Sequence, residues 1–84
     1  MNAEEIQNFL QSNVLTENKY LKITFKKRDP VFGIFLKGTD FAELANKNFW
    51  RIVTLTHLKE WQTSKDMSLS RIFNGQEFTR LAIQ

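Results

Sequence analysis

The sequence predicts a mainly β fold, a small and strongly bent antiparallel barrel of about five strands with an N-terminal α-helix and a short C-terminal helical or strand extension. Three observations point there. Residues 20–27 alternate apolar and polar, residues 31–37 form an apolar run broken by Gly33, and residues 49–58 are rich in Trp, Ile, Val and Thr. The 84 residues make one domain, with the helix over 3–15, the barrel over about 20–61 and the extension over 62–84.

The helix is read from Ile6, Phe9, Leu10 and Val14, which recur at helical spacing. Asn2 can cap it, and Glu4 and Glu5 suit the positive end of its dipole. In the first strand Leu21, Ile23 and Phe25 face one way, and Lys22, Thr24 and Lys26 the other, the period of a half-buried strand. Arg28-Asp29-Pro30 turns the chain. Val31 to Lys37 is apolar on both faces and therefore central, with Gly33 marking a bend or a close backbone approach. Phe41 to Lys47 reads equally as a short strand or one helical turn. Phe49 to Leu58 reads as one long strand. Trp61 follows in a further short strand or the start of a helix.

For residues 64–75 the helical spacing of Leu69, Ile72 and Phe73 is preferred to a strand, which would put Arg71 on the apolar face. Ser64 or Asp66 would cap that helix, and Asn74-Gly75 would end it. The same pair also has the form of a two-residue hairpin turn. Phe78 to Ile83 is the last strand.

Composition excludes several functions. There is no Cys and a single His, so a disulfide scaffold, a thiolate zinc centre and a Cys nucleophile are ruled out. No apolar run approaches a membrane span or a signal peptide, and the expected location is the cytoplasm. No Gly-x-Gly-x-x-Gly turn is present, and the chain is too short for a dinucleotide-binding sheet. Scattered carboxylates and Ser64, Ser68 and Ser70 form no catalytic constellation, so the expectation is a non-enzymatic protein with no cofactor and no metal.

The net charge of +3 is uneven. Residues 1–18 hold three acids and no base, whereas five of the twelve cations fall in residues 19–28. Such a cluster is either the solvent face of a strand or a footprint for phosphate.

This layout resembles the Sm-like fold, and within it the bacterial Hfq type of RNA chaperone. A helix precedes bent strands, the first two joined by a tight turn (Arg28-Asp29-Pro30), the second carrying Gly33 and ending near Asp40. His57 lies seventeen residues beyond Asp40, where the resemblance implies a turn between the fourth and fifth strands, although Thr56 replaces the usual lysine. In a second register Asn74-Gly75 stands in place of the Arg-Gly turn of other Sm proteins, with Gln76-Glu77-Phe78 opening the last strand. The whole chain is also similar to a small family of uncharacterised bacterial proteins, through residues 48–53 (NFWRIV) and 71–79 (RIFNGQEFT).

The resemblance implies a ring-forming homo-oligomer that binds single-stranded RNA. His57 would line its pore, Phe41 would stack on a base, and Gln7 or Asn8 would contact a nucleotide. From the charge pattern rather than the resemblance, Lys22, Lys26 and Lys27 would meet phosphate, as would Arg51, Arg71 and Arg80. Each also has a plainer reading, as a solvated or core side chain. The alternative function is a protein–protein interaction module on the same fold, without nucleic acid.

Overall fold

The computed structural model describes residues 1–12 and 20–84. Val14 and Leu15 of the expected helix, and Lys19 of the basic cluster, lie outside the described residues.

Helix α1 (Ala3–Ser12) opens on a reciprocal cap. The Glu5 amide donates to Asn2 Oδ1 at 2.8 Å, and the Asn2 amide donates to Glu5 Oε1 at 2.9 Å, so two otherwise orphaned donors are satisfied together. Ile6 and Leu10 bury the inner face, each contributing about 1.5–3 kcal/mol relative to exposure.

Five antiparallel strands follow: β1 (Leu21–Phe25), β2 (Val31–Phe35), β3 (Phe49–Thr54), β4 (Arg71–Asn74) and β5 (Phe78–Ile83). Their order is β4-β3-β2-β1-β5, so β5 returns beside β1 and the free edges are β4 and β5. The sheet is not closed into a barrel. Helices α2 (Phe41–Asn46) and α3 (Leu55–Ser64) flank β3. The described fold is a five-stranded antiparallel sheet with three α-helices packed around it. Among the described residues no helix is long and apolar enough to cross a membrane.

Alternation along β1 works as expected. Leu21, Ile23 and Phe25 are buried with Trp50, Ile52, Phe73, Phe78 and Leu81 in one core, while Lys22 and Thr24 face outward. Gly33 is paired with Leu21 on one side and Thr54 on the other, in the middle of the sheet. The outer face is used as well. Ile34 pairs with Val53, Val53 and Leu36 are buried outside the main core, and α3 packs on β2 and β3 to cover them.

Three expectations are corrected. The long strand 49–58 ends at Thr54, and Leu55, Thr56 and His57 begin α3. Local preference for extended backbone in this Thr-rich stretch is overridden because Leu58, Trp61 and Gln62, at helical spacing and half-buried, lie on a helix that covers the outer sheet. The expected helix over 64–75 is instead a 3₁₀ turn (Met67–Leu69) followed by β4. Asp66 caps that turn by accepting from the Ser68 amide at 2.9 Å. Residues 71–83, expected as an extension beyond the barrel, supply two of the five strands.

Asn74-Gly75 is neither a hairpin turn nor a helix ending. Asn74 closes β4 and caps a second 3₁₀ turn (Gly75–Glu77), its Oδ1 accepting from the Gln76 amide at 2.9 Å. No glycine has positive φ, so Gly75 is required by space. A Cβ there would strike Asn48 Oδ1, Ile6 Cδ1 and Trp50 Nε1. Asn48, itself left-handed at φ 60°, holds this corner. It accepts from Trp50 Nε1 at 2.8 Å and from the Gly75 amide at 2.8 Å, and donates to the Met1 carbonyl at 3.0 Å.

Candidate functional site

A cleft of ≈ 400 Å³ opens between the β1–β2 turn, β4 and the turn over 75–77. Its floor is Phe25 and Phe73, 8% and 7% exposed, with ring centroids 5.9 Å apart. Lys27, Arg28 and Arg71 line it, and Glu77 is the acid among the lining residues. The Lys26 amide donates to the Glu77 carbonyl at 2.9 Å, fixing the cation-bearing turn against the opposite wall.

The two arginines lie over the aromatic floor. Arg28 Cζ is 5.1 Å from the Phe25 centroid and 5.9 Å from that of Phe73, and Arg71 Cζ is 5.8 Å from Phe73. Each is within cation–π range, so the rings hold the guanidinium groups at the cleft without neutralising them. Arg71 also breaks the apolar pattern of β4. It shares the inward parity of Phe73 but sits at the strand end, where that face opens into the cleft. The Asn74 amide, whose oxygen is engaged by Gln76, lines the rim with its Nδ2 donors unused among the described residues.

Of the residues singled out from sequence, the cleft gathers Lys27, Asn74 and Arg71, with Lys26 exposed beside it. Lys22 lies on the outer face of β1. His57 is exposed on α3, between β3 and β4, so it occupies no turn between the last two strands. Phe41 begins α2, half-buried with its ring 5.9 Å from Trp50 and Lys37 Nζ 5.8 Å from its centroid. Gln7 is half-buried and Asn8 exposed on α1. Gly75 is buried. Phe25, Arg28 and Phe73 were not singled out as site residues. Arg28 was legible as part of the basic cluster, but its pairing with Phe73 needs β4 beside β3.

Arg51 and Asp40 do a different job. Arg51 Nη2 donates to Asp40 Oδ2 at 2.7 Å and Nη1 to Ser70 Oγ at 3.2 Å, tying the start of α2 and the approach to β4 onto β3. The Arg51 hydrogen bond holds the Asp40 carboxyl below the ordinary carboxylate range, against a smaller opposing effect of desolvation. A depressed folded value means that the pair stabilises the fold above the unfolded pKa of about 3.9, and that this contribution disappears as pH falls through the folded value. In melts across pH 2–6, the wild type is expected to lose midpoint more steeply below pH 4 than Asp40→Asn. Parallel profiles would show that the pair contributes nothing.

Chemically, three cations against one acid over aromatic rings can neutralise phosphate and cover a planar group. Among the described residues no group of three His, Cys, Asp or Glu side chains comes together to hold a metal ion. No protein-family model, curated protein or solved structure matches the chain.

Proposed function

We propose that this protein is a non-enzymatic Sm-like module that forms homo-oligomers and binds single-stranded RNA in the cleft of Phe25, Arg28, Arg71 and Phe73. The observation that carries the RNA reading is the placement of Arg28 over both rings with Lys27 and Arg71 alongside. Phosphate attraction supplies affinity, and unstacked bases pack readily on aromatic rings and guanidinium planes. The Sm-like reading is supported by an N-terminal helix followed by five antiparallel strands whose edges, β4 and β5, are free to pair with neighbouring subunits. Strand boundaries favour the register in which Asn74 ends the fourth strand and Gly75 begins the turn leading to the last. The RNA site therefore moves from His57 and Phe41 to the cleft.

Fluorescence anisotropy with labelled U-rich and A-rich oligoribonucleotides at two salt concentrations tests this. Binding is expected to weaken with salt at a log–log slope of about −2, from three phosphate contacts at about −0.7 each. Arg28→Glu with Arg71→Glu is expected to lower affinity at least tenfold with an unchanged circular-dichroism spectrum. No binding at low salt, or binding indifferent to the double substitution, would remove the RNA assignment. A protein partner is the second reading, favoured by Ile72, which is 50% exposed on the cleft wall. Nuclease-insensitive capture of one protein through Ile72 would support it.

A further inference from the structure

We infer that a bound single strand continues out of the cleft along the outer face of β1 and its neighbours, where Lys22, Arg80 and Phe32 form a second contact surface. This rests on the assignment of the cleft to single-stranded RNA.

The surface follows from strand register. Because Leu21, Ile23 and Phe25 enter the core, Lys22 and Thr24 face outward. Lys22 stands directly between Phe32 on β2 and Ala82 on β5, and Thr24 stands opposite Arg80. Tyr20 meets Phe32 edge-on, with ring centroids 6.2 Å apart. Lys22, Phe32 and Ala82 are only half-buried, and Arg80 is exposed. The face thus presents an aromatic ring and a small flat residue on either side of a cation.

The surface leads to the cleft. The Thr24–Arg80 pair is followed by Phe25–Phe78, with the extra residue Thr79 forming a bulge, and Phe25 is the cleft floor. Bulges bend a strand and increase its twist, and beyond this one the chain runs through Lys26 to Lys27 and Arg28 in the cleft lining. Thr79 Oγ1 donates to the Thr24 carbonyl at 3.2 Å, holding that bend. Lys26 and Lys27 then carry the cationic row to Arg28. From Lys22 to Lys26 the row extends about 13 Å at the rise of an extended strand. None of Lys22, Lys26 and Arg80 takes part in an ion pair among the described residues.

A row of cations that outnumbers the one acid at its cleft end, Glu77, is complementary to a polyanion. Phe32 beside Lys22 favours an unpaired strand over a duplex, since only unpaired bases offer a face for stacking.

Length dependence tests the inference. Twelve-nucleotide oligouridine is expected to bind at least tenfold more tightly than the four-nucleotide form. Lys22→Ala with Arg80→Ala should abolish most of that gain, leave the short form unaffected, and reduce the salt slope for the long form by about 1.4. Phe32→Ala should weaken the long form about tenfold without changing the slope. Should length bring no gain, or the Lys22/Arg80 pair prove silent on the long form, the extended surface is wrong. In that case short-oligomer binding that still depends on Arg28 and Arg71 keeps the cleft assignment alone. If neither length binds, both assignments fall.

Discussion

Trp50→Ala is expected to lower the unfolding free energy by about 3–5 kcal/mol, the largest single loss in the molecule. Trp50 is 1% exposed and heads the fully buried side chains by volume. Its ring meets Phe35 and Phe41 in edge contacts at 6.0 and 5.9 Å, so truncation opens a cavity walled by aromatic groups that cannot collapse into it. The change also removes the indole donor at 2.8 Å from Asn48 Oδ1. Asn48 ties the amino-terminal residue to the turn over 75–77, so the loss reaches the corner where Gly75 packs. A chain of this length is stable by about 4–13 kcal/mol in total, and urea melts should show a much earlier midpoint or no folded baseline. A loss below about 1 kcal/mol would mean that Trp50 is not the centre of the core.

The second large effect is expected at Gly33. A Cβ there would fall inside van der Waals contact of the Val53 carbonyl oxygen, with Val53 C and Thr54 Cα at 3.0 Å. These are backbone atoms of the paired strand and cannot swing aside. Gly33→Val is therefore expected to cost about 3 kcal/mol, at the upper end of the overpacking range, or about 12–24 °C in thermal midpoint for a domain of this size. Gly38→Ala is the control. Its Cβ would meet the mobile end of Met67 at 3.1 Å, and its midpoint should shift by only a few degrees. Equal midpoints for the two variants would contradict the central placement of β2.

Much of the inner architecture could be read from residue order. The period of two in Leu21, Ile23 and Phe25 located β1 and its buried face, Gly33 signalled close backbone approach, and Asn2 with Glu5 marked the start of α1. Phe78 to Ile83 was legible as a strand because its flanks and apolar content agree. The misreadings arise where two physical preferences conflict. In 55–58, continuation of the Ile-, Val- and Thr-rich run favours extended backbone, but the uncovered outer residues Ile34, Val53 and Leu36 are better buried by a helix. In 71–74, Leu69, Ile72 and Phe73 happen to fall at helical spacing. Only the pairing of Trp50 with Phe73 and of Arg51 with Ile72 makes the strand win. Arg71 on the apolar face looked like an argument against that strand, yet its position is what furnishes the cleft.

The cleft itself was legible only in halves. Lys26, Lys27 and Arg28 stood out as a basic cluster, and Asn74-Gly75 as a turn. Nothing in their spacing says that residues more than forty positions apart share a wall. That depends on β5 returning to pair with β1, which places the turn over 75–77 against Lys26. Expectations built on single residues fared differently. His57 and Phe41 are on helices away from the cleft lining, so neither can share the arginine-lined surface without a second subunit.

The measurement that bears most directly on the cleft as an RNA site is an amide chemical-shift titration with short single-stranded RNA. The largest shifts are expected at Lys27, Arg28, Arg71, Phe73, Asn74 and Glu77, diminishing when Arg28 and Arg71 are reversed in charge. Shifts centred on α3 around His57, or no shifts at low salt, would contradict the assignment.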